Sequence, residues 1–320
     1  MSHLLEVQDL EVKFALRFGE LTAIDGVSFT LDKGEKLGIV GESGAGKSVT
    51  GFAVIKLISK PGYISAGRIL FNGEEISSYS DTKIRSIRGD RISMIFQDPM
   101  MTLNPVFTIG TQMVETLKAH RDIGKKEAEK IALEKLRKVH IPSPEARLKQ
   151  YPHELSGGMR QRIIIAISLL TDPAIIIADE PTTALDVTIQ AEIMDLLQEL
   201  CESGDMGLIL ITHDLGVVSQ VTEKIAVMYA GKIIETGPTD RVVKNPLHPY
   251  TRGLITSIPG GVINPGEKLA QIPGMMPNLT AIPEGCAFNP RCYKRDGICR
   301  TETPELRTIK HGRQAACHMI

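Results

Sequence analysis

An α/β fold with a parallel sheet covered on both faces is what the sequence predicts, and three observations predict it. Short apolar strand segments alternate with helical patterns along most of the 320 residues. One of those strands runs straight into a glycine-rich loop. Aromatic residues are few (6 Tyr, 8 Phe, no Trp), which suits an aliphatic core better than a β-sandwich.

Taken in order, residues 4–13 (LLEVQDLEVK) and 27–32 (VSFTLD) alternate apolar and polar side chains, as half-buried strands do. LGIV (37–40) is a short apolar strand entering the glycine-rich loop, and Ser48 to Ser59 has helical spacing. Strand signals recur at 68–71, 92–96, 174–178, 207–211 and 225–228. Helical patterns occupy 109–119, 125–139, 157–170 and 186–202. The stretch 98–172 holds no strong strand, so it reads as a helical insert in the α/β domain. Beyond about residue 245 the texture changes. Pro246, Pro249, Pro259, Pro265, Pro273, Pro277 and Pro283 punctuate a segment with little periodicity. Such a segment buries little core by itself and needs docking or a staple.

The length suits one large domain with an appendage. A formal net charge of −1 gives no support for broad nucleic-acid binding, so no nucleic-acid partner is expected. The longest apolar stretch, about Ile163–Leu170, falls well short of the ~20 residues a membrane helix needs. The acidic start (Glu6, Asp9, Glu11) has no signal-peptide pattern. A chain made in the cytoplasm is expected, reaching a membrane only through a partner.

GESGAGKS (41–48) fits G-x-x-x-x-G-K-[ST], with a strand before and a helix after it. Glycines let backbone N–H groups curl round phosphate oxygens at a helix N-terminus. Lys47 is placed to reach β- and γ-phosphates, and Ser48 to offer its hydroxyl oxygen to Mg²⁺. AIIIADEP (174–181) ends an apolar strand in adjacent carboxylates, at the edge where open α/β sheets bind ligands. Asp179 is then the Mg²⁺-side carboxylate, and Glu180 the one that polarises attacking water. LSGGMRQR (155–162) precedes a long apolar helix; Ser156 is a good N-cap, and Gly157 and Gly158 leave the first N–H groups uncovered. This second anion-receiving helix end needs explaining, because one γ-phosphate cannot usually touch both ends within one chain.

Phosphate loop, LSGG, hydrophobic-DE and ITHD, in that order and spacing over roughly residues 4–245, resemble the nucleotide-binding subunits of ABC transporters. The resemblance implies an ABC-type P-loop NTPase: a RecA-like core, an antiparallel β-subdomain and a helical insert (about 98–172), together spanning 1–245. A C-terminal cysteine-rich extension would follow over 246–320. It implies ATP and Mg²⁺ as ligands, with ATP held by Gly41, Glu42, Ser43, Gly44, Ala45, Gly46, Lys47, Ser48 and Val49. Phe14 would stack on adenine, with Phe18 as the alternative. It implies Mg²⁺ at Ser48, Gln97 and Asp179, and catalysis by Glu180, His213 (in ITHD, 211–214) and Gln97 (in IFQDP, 95–99). It also explains the second anion site. Two such subunits pair head to tail, so that Ser156, Gly157, Gly158, Gln161 and Asp186 (in TALD, 183–186) face the partner's ATP.

MIFQDPMMTLNP (94–105) and NPLHPYTRGLITSIP (245–259) resemble, more narrowly, the ATPases of oligopeptide, dipeptide and nickel importers. The partners implied are a second ABC ATPase, usually a related chain, two transmembrane permeases and, indirectly, an extracytoplasmic solute-binding protein. The implied location is peripheral, on the cytoplasmic face of the inner membrane. Di- or oligopeptide uptake is the expected function; nickel or another small solute is the alternative. The rivals are a soluble ABC protein, an assignment that usually requires two cassettes or a long coiled coil, and an exporter subunit, which the 245–259 motif disfavours.

Five cysteines are unevenly placed. Cys201 sits on an amphipathic helix and reads as a core residue. Cys286, Cys292, Cys299 and Cys317 form C-x5-C-x6-C-x17-C. The absence of a C-x-x-C pair argues mildly against zinc, and a Cys-only set in a loop-rich segment can hold a [4Fe–4S] cluster. Resemblance to the peptide importers favours that cluster, with zinc as runner-up. In either case it is expected to staple the tail, leaving ATP binding largely untouched.

Overall fold

A computed structural model describes residues 3–17, 19–98, 102–183, 185–202, 205–257 and 271–320. Backbone proximity divides the chain into two units, Met1–Ser78 with Leu210–Ile320, and Tyr79–Ile209. The first unit opens with β1 (Leu5–Leu16), β2 (Gly19–Leu31), β3 (Lys36–Val40), α1 (Lys47–Val54), β4 (Gly62–Phe71) and β5 (Glu74–Glu75). The second carries β6 (Ile92–Ile95), α2 (Ile109–His120), α3 (Lys125–Lys138), α4 (Gly157–Ser168), β7 (Ile175–Asp179) and α5 (Val187–Glu202). The chain returns to the first unit along β8 (Gly207–Thr212). It continues through α6 (Leu215–Val221), β9 (Lys224–Tyr229), β10 (Lys232–Pro238), α7 (Pro249–Thr256), β11 (Arg307–Thr308) and β12 (Gln314–Ala315).

In the first unit, β2-β1-β4-β5 form an antiparallel sheet. On β1 the buried residues change parity, from Leu5 and Val7 to Leu10 and Val12. The register shifts between Val7 and Leu10, where Asp9 takes a left-handed φ of 46° and its N–H donates to Ser28 Oγ at 2.7 Å. One extra residue keeps both halves of the strand facing the core, as a bulge does. Beside this sheet, β3 pairs parallel with β9, Leu37 opposite Lys224 through Val40 opposite Val227. A two-residue turn with positive φ at Ala230 and Gly231 joins β9 to the antiparallel β10, the geometry that matches strand twist. β12 adds to β10, and β11 to β12.

In the second unit, β6 and β7 run parallel, with Ile92 opposite Ile175. Every residue of both strands is buried, which is why they read as apolar runs rather than alternations. α2 buries Ile109, Met113, Val114 and Leu117, and α3 buries Ala128, Ala132 and Leu136, each at helical spacing, where the two helices pack together. Cys201 is buried on α5, as expected. Helix α1 stops at Val54, short of the 48–59 pattern, and Lys56 just beyond it is left-handed at φ 51°. Among the described residues no helix is long and apolar enough to cross a membrane.

The extension is pinned to β10. Glu235, with no solvent exposure, accepts from Arg313 Nη2 (2.8 Å) and from the N–H groups of Leu247 and His248 (both 2.9 Å). Tyr229, Tyr250 and Phe288 then meet edge to face, with centroids 4.7 to 5.4 Å apart. Replacing Arg313 with Met would strand a buried carboxylate. Breaking such a pair costs about 3–5 kcal/mol. Arg313→Met is therefore expected to lower the denaturant midpoint clearly in urea unfolding, whereas loss of the surface pair Lys125–Glu129 should shift it negligibly.

Candidate functional site

The phosphate loop lies between β3 and α1 in the first unit. Gly41 and Gly46 are the two positions where a side chain is excluded. A Cβ on Gly41 (φ 155°) would sit 2.3 Å from the Met228 carbonyl oxygen, and one on Gly46 (φ 103°) 2.6 Å from Ile24 Cδ1. The β9–β10 turn braces the loop from below: Gly231 N–H donates to Ala45 O and Asp25 N–H to Gly231 O, both at 3.0 Å. Ser43 and Gly44 are exposed, and Ser48 and Val49 are half-buried in the first turn of α1. That helix start has no side-chain cap at Gly46, so its first N–H groups suit an anion. Lys47 is buried, with Nζ donating to the carbonyl oxygens of Gly41 (2.8 Å) and Glu42 (3.0 Å).

Phe14 is half-buried on β1, its ring against Gly62 of β4, where a Cβ would come within 2.6 Å of it. Phe18 lies outside the described residues. His213 is exposed at the end of β8, and Asp214 beside it caps α6 by accepting from Gly216 N–H at 2.7 Å.

The second unit brings Gln97 and Glu180 together. Gln97 Nε2 donates to Glu180 Oε2 at 3.0 Å, and Thr183 Oγ1 donates to the same oxygen at 2.9 Å. Glu180 has a left-handed φ of 45°, an uncommon conformation for a residue with a side chain. Asp179, one residue earlier, is only 2% exposed. Adjacent carboxylates thus end in different surroundings, one nearly dry and one half-exposed with two neutral donors. Serine hydroxyl, carboxylate and carboxamide oxygens are the hard donors that Mg²⁺ takes.

Ser156 caps α4, accepting from Met159 N–H at 3.4 Å, and both Ser156 and Gly157 are exposed. Gly158 faces α5, where a Cβ would come within 3.0 Å of Ile189 Cγ2. Gln161, one turn on from Gly158, is 1% exposed, and neither atom of its amide has a hydrogen-bond partner. The structure therefore seats it inside the second unit, apart from the exposed Ser156 and Gly157. Asp186 is exposed just ahead of α5; Ala184 of the same motif lies outside the described residues, as do Pro99 of IFQDP and the last two residues of 245–259.

Among the described residues no group of three or more His, Cys, Asp or Glu side chains is disposed to hold a metal ion. The metal site expected at the four late cysteines, whether iron–sulfur or zinc, is therefore not supported as a converging ligand set. The cysteines are nonetheless neighbours: Cys286 lies within electrostatic range of Cys292, Cys299 and Cys317, and its N–H donates to Cys299 O at 2.9 Å. They form no disulfides. Backbone N–H groups of Phe288, Lys294 and Met319 point at the sulfurs of Cys286, Cys292 and Cys317. Burial raises all three of those thiol pKa values, that of Cys286 to about 11.

Thr183, Tyr250 and Arg291 carry roles that the sequence alone does not assign. Tyr250 accepts the Glu42 N–H at 2.8 Å, and Arg291 forks onto the Glu42 carboxylate at 2.7 and 2.9 Å. Their loop partner is about 208 and 249 residues away in sequence, and no local pattern signals it. The tail thus touches the phosphate loop directly, against the expectation of independence.

The ABC transporter family matches residues 24–183, and the C-terminal region of oligopeptide/dipeptide transporters matches 234–299. The chain is 52% identical to the oligopeptide transport ATP-binding protein OppD of Bacillus subtilis, over 90% of this chain and 81% of that one. It is 45% identical to the dipeptide transport ATP-binding protein DppD of Escherichia coli, over 98% and 96%. Among solved structures, a dimeric ATP-binding cassette in a post-hydrolysis state with ADP and phosphate superposes with a TM-score of 0.66 at 26% identity, over 73% of this chain and 98% of that one. The cassette cbiO1 from Clostridium perfringens gives 0.65 at 28%, over 77% and 92%. On its motifs, its fold and these likenesses, the chain belongs to the ABC transporter family, as one of its ATP-binding subunits.

Proposed function

We propose that the chain hydrolyses ATP to drive uptake of di- or oligopeptides, bound peripherally at the cytoplasmic face of a membrane to two permeases. A second ATPase subunit would complete the pair, and an extracytoplasmic binding protein would deliver the solute. The observation that carries the ATPase reading is Glu180, held at the end of β7 by Gln97 and Thr183. The printed names of the relatives, and the match of residues 234–299, support peptides over other solutes. Residues 1–245 form the proposed catalytic domain and 246–320 its appended region.

In this reading Lys47 turns from the Gly41 and Glu42 carbonyls onto the β- and γ-phosphates. The N–H groups of residues 43–48 surround the phosphate oxygens, and Phe14 lies against adenine. Ser48, Asp179 and Gln97 would hold Mg²⁺ through side-chain oxygens, and the ion would supply neutralisation of the charge developing on the phosphates. Glu180 orients and deprotonates the attacking water, and His213 meets the γ-phosphate. Ser156, Gly157, Gly158, Gln161 and Asp186 serve the nucleotide of the second subunit; Gln161 needs a change of seat to do so.

The [4Fe–4S] assignment is proposed for Cys286, Cys292, Cys299 and Cys317 on their proximity and the N–H groups aimed at sulfur. Its contribution would be folding free energy for a region poor in apolar residues.

Three outcomes test this. Glu180→Gln, in the assembled transporter, should retain ATP binding and lose about 10²–10⁴-fold in turnover, the usual share of a general base; near-normal hydrolysis would refute the assignment. In the isolated subunit, Lys47→Ala should lose nucleotide affinity and Ser156→Arg should keep it, yet both should abolish transport; equal affinity losses would remove the in-trans role. Protein purified without oxygen should be brown and contain about four irons per chain. Stoichiometric zinc without iron would exclude the cluster.

A further inference from the structure

Glu42, the second residue of the phosphate loop, is gripped at three places. Its N–H donates to Tyr250 Oη, its carbonyl accepts from Lys47 Nζ, and its carboxylate accepts twice from Arg291. Arg291 directly precedes Cys292 and is 8% exposed. A guanidinium has five N–H donors, and here five bonds leave it. Nε reaches Pro273 O (2.8 Å), Nη1 reaches Glu42 Oε2 and Tyr229 Oη (3.4 Å), and Nη2 reaches Glu42 Oε1 and Gly274 O (3.2 Å). The carboxylate among these partners belongs to the loop, and the two carbonyls belong to the segment that enters the cysteine-bearing region. That segment also abuts the loop tip, where a Cβ on Gly44 would come within 2.9 Å of Met276 Cε.

We propose that Arg291 is a positioning residue for nucleotide binding, acting through Glu42, so that the order of the cysteine-bearing extension sets the affinity of the phosphate loop for ATP. The inference rests on the ATPase reading above. Its physical basis is what happens when phosphate arrives. Lys47 must leave the Gly41 and Glu42 carbonyls to reach it, removing one of the three grips on Glu42. The loop N–H groups bind well only if they already point inward, because ordering them on binding would cost affinity. Tyr250 and Arg291 are the grips that remain. Of these, the Arg291 fork is charged and bidentate with its guanidinium nearly dry, which fixes direction as well as distance.

A simple packing role for Arg291 would leave nucleotide affinity alone, so affinity is the discriminating measurement. Arg291→Lys keeps the charge and loses the fork; Glu42→Gln keeps the shape and loses the counter-charge. In the full chain, calorimetric titration with Mg·ATP should show each variant about five- to twentyfold weaker than wild type, within the range of coupled sites. The double variant should be no weaker than the worse single one, since each residue acts through the other. In the assembled transporter KM for ATP should rise, with kcat changed less. Limited proteolysis of residues 284–320 reports whether the tail stays folded. Wild-type affinity in Arg291→Lys with a protected tail overturns the proposal. If that variant loosens the tail, wild-type affinity in Glu42→Gln overturns it instead, and additive losses in the double variant do so in any case. Failure of the wild-type chain to bind ATP would be a failure of the ATPase reading, distinguishable from all of these.

Discussion

A single carboxylate without solvent contact, Glu235, decides where the last quarter of the chain can sit. An ionised carboxylate in that setting is tolerable only with a cation and further donors, and the chain supplies Arg313 and two backbone N–H groups. Those N–H groups belong to Leu247 and His248, so satisfying Glu235 fixes the entry to α7. His248 then caps α7 through Nδ1, accepting from Tyr250 N–H at 3.0 Å. Its burial pushes its pKa down to about 3, so it stays neutral and available as an acceptor. Tyr250 in turn reaches Glu42. One buried charge at β10 is thereby linked, contact by contact, to the loop proposed to hold phosphate.

A Pro-interrupted segment has few apolar side chains to order it, and here polar pins and an aromatic cluster do that work. The exposed ion pairs scattered elsewhere, such as Lys232–Asp25, are screened by water and contribute little. Arg313–Glu235 and Arg291–Glu42 differ because the guanidinium of each is nearly dry. Desolvation makes such pairs costly to break rather than generous to form. They therefore dictate one placement of the tail more than they add to overall stability, and Tyr229, Tyr250 and Phe288 supply the apolar burial.

Local chemistry was legible in the sequence. LLEVQDLEVK reads as a half-buried strand and forms one, although the bulge at Asp9 within it was not read. GESGAGKS, the strand ending in Asp179 and Glu180, and the Ser156 cap all lie where short-range rules put them. What could not be read is long-range or short in extent. β10 (KIIETGP) carries a glycine, a proline and a buried glutamate, so it shows no strand alternation, and its identity as a strand comes from pairing with β9 and β12. Arg291 looks like an ordinary surface charge until folding buries its guanidinium against Glu42. The family resemblance assigns Gln161 to the partner's ATP, but it is 1% exposed. The periodicity that aligns it with Gly158 turns it instead toward the packed face. The cysteine spacing told that four thiols crowd the tail, but not how closely they would converge.

The pair Asp179 and Glu180 shows how backbone conformation divides labour between identical functional groups. Had the strand simply continued, the two side chains would have alternated across the sheet. The left-handed φ at Glu180 ends β7 instead and turns that carboxylate toward Gln97 and Thr183. A conformation of this kind costs about 1–3 kcal/mol and persists only where its surroundings hold it. Gln97 and Thr183 both donate to Oε2 and fix the direction of that carboxylate. On the ATPase reading that is the useful division. Fixed donors on one oxygen orient the Glu180 carboxylate for water, while the nearly dry Asp179 beside it is suited to a metal.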